Sequence, residues 1–142
     1  VNYNYKAYHS ERPDQLYEVF DGDRSNCQKN LHILRYAEVL LIQAEARLHS
    51  GGDAATPLNA VRARAGLVNA PAVNINAVWN ERRVELAMEH DRFWDLVRQG
   101  RAAQVMQASG KTGFVAGKNE LLPIPYAEIQ VSGGKLTQNN GY

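Results

Sequence analysis

The chain has 142 residues, enough for one domain of ordinary size with a single sizeable core. Sixteen Lys and Arg face fifteen Asp and Glu, a net charge of +1 without any block of like charge, which speaks against a nucleic-acid-binding face. A single cysteine, Cys27, excludes an intrachain disulfide framework and a cysteine-based zinc cluster, and the longest apolar run, Val39 to Ile42, is far too short to cross a bilayer.

Residues 1–30 have no helical periodicity. Tyr3, Tyr5 and Tyr8 suggest a short strand, and Asp21-Gly22-Asp23 reads as a turn. The chain opens on Val1 rather than Met, so a mature or truncated product is expected, and this segment reads as the continuation of something larger. The first strong helix is predicted from Leu31 to about Ser50. Its apolar positions are Leu34, Ala37, Leu41, Ala44 and Leu48, with Val39, Leu40 and Ile42 widening the stripe toward burial on more than one side. Gly51-Gly52 ends it.

A second helix is predicted from about Ala54 to Ala65, capped by Asp53, or by Thr56 with Pro57 at the first helical position. Leu58, Val61 and Ala65 mark its buried face and Gly66 its exit. So short a turn makes the two helices antiparallel, and Ala44, Ala46, Ala60 and Ala63 would let their axes approach closely. After a Val68–Asn76 linker come three more helices, about Ala77–Glu89, Arg92–Gln99 and Arg101–Ala108, the first two expected to pair. From Gly110 onward the chain reads as an irregular tail. Its one apolar segment, Leu121-Leu122-Pro123-Ile124-Pro125, is an edge or extended loop, because proline cannot donate to a sheet ladder. The predicted fold class is mostly α, with paired helices and irregular ends.

Candidate chemistry is sparse. His90 lies between Glu89 and Asp91, but adjacent helical residues point in different directions and do not converge on one ion, so no metal is expected. Glu81, Glu85 and Glu89 share one helical face. With Arg82, Arg83 and Arg92 close by, ion pairing is a simpler use for them than an acid–base dyad. No nucleophile elbow, phosphate loop or dinucleotide fingerprint occurs, and no cofactor is expected. Aromatic side chains offer flat faces to a sugar. Of these, Phe93 and Trp94 sit in a helical pattern with Leu96 and Val97, so at least one is expected in the core. Trp79 falls off the stripe set by Val78 and Leu86 and reads as partly buried.

Taken in order, several phrases resemble one family. They are Leu34-Arg35-Tyr36-Ala37-Glu38-Val39-Leu40-Leu41 with Ala44-Glu45-Ala46, and Leu58-Asn59-Ala60-Val61-Arg62-Ala63-Arg64-Ala65-Gly66-Leu67. Glu81-Arg82-Arg83-Val84-Glu85-Leu86 and Arg92-Phe93-Trp94-Asp95-Leu96-Val97-Arg98 follow, then Leu122-Pro123-Ile124-Pro125, Glu128-Ile129, and Gln138-Asn139 before Gly141-Tyr142. Residues 31–142 resemble the C-terminal helical domain of the SusD/RagB family of outer-membrane nutrient-binding proteins. The resemblance implies tetratricopeptide-like helix pairs and a non-catalytic protein. It implies a cell-surface lipoprotein whose N-terminal lipid anchor lies outside this chain, Cys27 not being the anchor. The implied partner is a TonB-dependent, SusC-like barrel transporter, and the implied ligand an oligosaccharide or, in some members, a peptide. In the family these phrases belong mainly to the scaffold, so Trp79 and Tyr8 stand as candidate ligand contacts from exposure alone. Two departures are local: His90 stands where the family often has Gly, and Pro57 where a helix former is usual. Glu38 and Glu45, two turns apart on one face, are expected to meet guanidinium groups of Arg62, Arg64 or Arg82. A free-standing helical-repeat scaffold that binds a protein segment is the alternative reading, and a hydrolase acting through Glu81 and Glu85 a third.

Overall fold

The computed structural model describes residues 33–142. Among these residues it contains no strand and six helices: α1 (Tyr36–Ser50), α2 (Ala55–Arg64), α3 (Ile75–Glu85), α4 (Arg92–Arg98), α5 (Ala102–Ala108) and α6 (Tyr126–Val131). The all-α reading holds and the first two helices pair as expected; the third was expected to pair with the fourth, but α3 packs on α1, and α4 packs on α5. The strand expected around Tyr3, Tyr5 and Tyr8, the Asp21–Asp23 turn and Cys27 lie outside the described residues. The chain divides into two compact units, one ending at His90 and one running from Asp91 to Tyr142.

In the first unit, α1 packs on both α2 and α3. It begins at Tyr36, later than the expected Leu31, because Arg35 is extended (φ −117°, ψ 153°) and acts as the cap. The carbonyl of Arg35 accepts the Val39 N–H, the first helical bond. At the far end Gly51 takes the left-handed conformation, φ 74°, and its N–H and that of Gly52 both return to the Arg47 carbonyl. Ala37, Leu41 and Ala44 bury one stripe of α1 against Leu58 and Val61 of α2, Ala54 just before it, and Val78 of α3.

That stripe is narrower than the sequence suggests. Leu34, Val39 and Ile42 are exposed, the last at 49%. Of the small residues expected to bring the axes together only Ala44 is buried; Ala46, Ala60 and Ala63 face solvent, and Ala37 and Ala54 take the close contacts instead. Ala65 is exposed as well, since α2 stops at Arg64.

Asp53 caps α2 as expected. Its carboxylate accepts the Ala55 N–H at 2.8 Å and the Thr56 N–H at 3.3 Å, and the Thr56 hydroxyl donates to it, which excludes Thr56 as the cap. Pro57 lies in the first turn, where a missing N–H costs no helical bond, and its ring is buried. Helix α3 starts two residues before the expected Ala77, because Asn74 is extended and its side chain accepts the Ala77 N–H at 3.0 Å. It stops at Glu85 rather than Glu89. Met88 and His90 adopt φ 69° and 71°, a conformation no α-helix continues through.

In the second unit α4 packs on α5, turning through Gly100 at φ 68°. Asp95, Leu96 and Ala102 are its buried residues. The boundaries match the predicted ones within a residue. Phe93 is half-buried, meeting the Trp94 ring edge-on at 5.2 Å and the Phe114 ring at 6.4 Å, while Trp94 is 55% exposed; Leu96 supplies the fully buried apolar residue of α4. The tail is less irregular than expected. Pro125 ends the extended Leu121–Pro125 segment and starts α6, its carbonyl accepting the N–H groups of Glu128 and Ile129.

Candidate functional site

The densest polar arrangement in the first unit lies on α3, which carries two seams. Residues three or four apart share a helical face, so Glu81 and Glu85 point one way while Trp79 and Arg82 point another. On the first seam, Arg62 donates to Glu81 at 2.6 Å and Arg64 to Glu85 at 2.8 Å. On the second, Arg82, itself 4% exposed, donates to Glu38 at 3.2 Å, and the Trp79 indole N–H donates to Glu45 at 3.1 Å. Glu45, Glu81 and Arg82 are all buried. A charge taken this far from water needs a partner, and each of these side chains has one.

Arg35 closes the network at the C-terminal end of α3. Its Nε and Nη2 form a fork on the Glu89 carboxylate at 2.7 and 2.9 Å, Nη1 reaches Glu85 at 3.0 Å, and Nη2 also donates to the Glu85 carbonyl at 3.1 Å. The hydrogen bond to Glu89, opposed by desolvation and helped by Glu85, raises the Arg35 guanidinium above its ordinary pKa. A cation at a helix C-terminus is also favoured by the helix dipole. The strained turn holding Met88 and His90 is thereby tied to the residue that precedes α1.

The sequence pattern identified the participants and mistook some pairings. Glu38 meets Arg82 as expected, and Glu45 meets Trp79. Arg62 and Arg64 turn to the glutamates of α3 rather than to α1. The expected neighbours of those glutamates are engaged elsewhere, Arg82 on α1 and Arg83 on Asn80 at 3.1 Å. Glu89 lies beyond the helix it was expected to share. Spacing along the chain does not reveal the part played by Arg35; its one signal is the set of three carboxylates at four-residue spacing.

Other motif residues position loops. The Asn59 side chain accepts the Ala70 N–H at 2.9 Å, and Arg62 Nε donates to the Val68 carbonyl at 2.9 Å, so the 65–74 linker is held against α2. In the second unit Arg98 donates to the buried Asp95 at 3.2 Å, and Arg92 opens α4. Tyr36 is 76% exposed, Pro123 and Pro125 are exposed, Trp79 is half-buried, and Tyr8 lies outside the described residues.

A second arrangement, which no sequence motif signals, lies in the tail. Gln138 brackets Ile124, accepting its N–H and donating to its carbonyl, both at 2.8 Å. Asn139 donates to the Leu122 carbonyl at 2.6 Å and the Tyr142 hydroxyl to the Leu121 carbonyl at 3.0 Å. The Lys118 ammonium sits 4.7 Å from the Tyr142 ring centroid. Residues 138–142 thus form a clasp on the segment that leads into α6. Among the described residues no three His, Cys, Asp or Glu side chains gather into a metal-holding group, and no helix is long and apolar enough to cross a membrane.

Set against known proteins, the model of the SusD family matches residues 2–142. SusD-like protein P2 of Formosa agariphila is 33% identical over 127 residues, covering 77% of this chain and 25% of the relative; SusD-like protein P38 of the same organism is 33% identical, covering 80% and 25%. The chain therefore spans about a quarter of the length of these curated relatives. Among solved structures, surface glycan-binding protein A from Bacteroides thetaiotaomicron superposes with a TM-score of 0.70 at 38% identity, over 81% of this chain and 26% of that one. The same protein in complex with laminarihexaose also gives 0.70, at 37% identity.

Proposed function

This chain belongs to the SusD family, and from that premise we propose that it is the C-terminal helical portion of a non-catalytic surface protein that captures oligosaccharides. One observation carries the reading: a solved structure 37% identical over most of the chain is a glycan-binding protein holding laminarihexaose. Residues 31–142 supply the scaffold, stiffened by buried ion pairs, and residues 1–30 continue from the preceding part of the protein. The protein sits on the outer membrane, anchored by a lipid at a segment outside this chain, and passes its ligand to a TonB-dependent, SusC-like barrel.

Capture relies on aromatic faces against the C–H surfaces of pyranose rings and on hydrogen bonds to hydroxyls, a combination that permits release as well as binding. Trp79 and Tyr8 are the aromatic residues of this chain proposed to touch ligand. The indole N–H of Trp79 is committed to Glu45, so only its ring face is offered.

Calorimetric titration of the whole protein with laminarihexaose, other glycans and short peptides tests this, with the 142-residue chain alone as control. Saturable glycan binding by the whole protein supports the reading, and binding by the control as well, abolished by Trp79→Ala or Tyr8→Ala, supports the two contacts. Peptide binding without glycan binding refutes glycan capture. Co-purification with a barrel then separates a peptide importer from a helical-repeat scaffold.

A further inference from the structure

Asn140-Gly141 is the only Asn-Gly pair in the sequence. Glycine lacks the side chain that otherwise shields its own amide nitrogen, so here that nitrogen is open to reach the preceding carboxamide. The fold leaves it open too. Both residues are exposed, at the corner of a turn closed by the Tyr142 N–H donating to the Asn139 carbonyl at 3.2 Å. Gly141 has φ 86°. Among the described residues, neither the Asn140 carboxamide nor the Gly141 N–H makes a hydrogen bond, whereas Gln138, Asn139 and Tyr142 are all engaged with residues 121–124. The one unheld side chain of the clasp is thus the chemically labile one.

We propose that Asn140 converts spontaneously to isoaspartate and that the conversion opens the clasp. Base removes the Gly141 amide proton, and the nitrogen bonds to Cγ of Asn140. The Cγ–Nδ2 bond breaks, and Nδ2 leaves as ammonia with the proton that the base returns. One water then opens the cyclic imide at either carbonyl, giving aspartate or isoaspartate; no oxidant or cofactor takes part. Isoaspartate adds a methylene to the main chain inside the turn, which the bond between Tyr142 and Asn139 no longer spans in the same geometry. It also places a carboxylate beside Lys118, whose stem packs so closely on Gly141 that a Cβ there would come 2.9 Å from Lys118 Cδ. That carboxylate competes with the Tyr142 ring for the ammonium.

The test uses the whole 142-residue chain, aged at mildly alkaline pH. Peptide mapping with isoaspartate-specific enzymatic methylation locates the product, and hydrogen exchange follows the Ile124 amide, which Gln138 holds. Isoaspartate is expected at position 140 ahead of every other asparagine and is lost in Asn140→Ser. The Ile124 amide is expected to exchange faster in the aged chain and not in aged Asn140→Ser. If position 140 stays asparagine in the folded chain while the urea-unfolded chain converts, the turn protects it and the site is refuted. If it converts while Ile124 exchange is unchanged, the opening of the clasp is refuted.

Discussion

Glu85 is the node at which the two arginine arms meet, and the arms differ in their exposure. The Glu85 side chain is 9% exposed, Arg35 27% and Arg64 62%. Glu85→Gln keeps the shape and one acceptor but removes the charge. A hydrogen bond to a charged group contributes about 1.5–3 kcal/mol, and an exposed ion pair about 0.2–1 kcal/mol. Since the amide oxygen retains part of the first, the substitution is expected to cost about 2 kcal/mol. A double-mutant cycle apportions it. Coupling between Glu85 and Arg64, each removed alone and together, is expected below about 1 kcal/mol and falls in high salt. Coupling between Glu85 and Arg35 is expected at about 1–2 kcal/mol and falls less, because Arg35 also holds Glu89 and the Glu85 carbonyl. Urea unfolding followed by Trp79 fluorescence in a Trp94→Phe background restricts the signal to the first unit, since the sequence has two tryptophans. Equal couplings for the two arms, or Glu85→Gln without a shift in midpoint at unchanged slope, would refute the assignment of Arg35 as the structural arm.

Leu41 is fully buried at the centre of the core, so Leu41→Ala is expected to lower stability by about 2–5 kcal/mol. Its exposed neighbour Ile42 is expected to tolerate alanine within about 0.5 kcal/mol; similar midpoint shifts for both would restore the wide apolar stripe. His90→Gly, at φ 71°, is expected to stabilise by about 0.5–1 kcal/mol, read as a higher Tm by calorimetry; a lower Tm would mean that the imidazole contributes more than the strain removes. The Asp53 carboxyl, accepting the Thr56 hydroxyl and the N–H groups of Thr56 and Ala55, is held below its ordinary pKa of 3.8. Its contribution to α2 is therefore present above that value and lost as pH falls through the folded one. An NMR titration should give a midpoint below 3.8 with the Ala55 amide losing protection in the same step, and a midpoint at or above 3.8 would contradict the cap.

The local chemistry of the chain determined much of this fold. A 3.6-residue apolar period marked α1, Gly51 its end and Asp53 the start of α2, because caps and left-handed exits depend on residues a few positions away. The ordered phrases determined the family, since each is dictated by the same scaffold. Tertiary structure decided the rest. Which side of a wide apolar helix is buried depends on where its neighbours lie, so Leu41 is enclosed while Ile42 is not. Just past the end of α3, Arg35, fifty residues before Glu85, forks on the Glu89 carboxylate and reaches Glu85 as well. Choosing among equivalent carboxylates and guanidinium groups is a matter of distance across helices, which spacing along a chain does not contain. The clasp of Gln138, Asn139 and Tyr142 on main-chain groups of residues 121–124 was decided in the same way: backbone N–H and C=O are alike at every position, and only the folded path brings these side chains to those atoms.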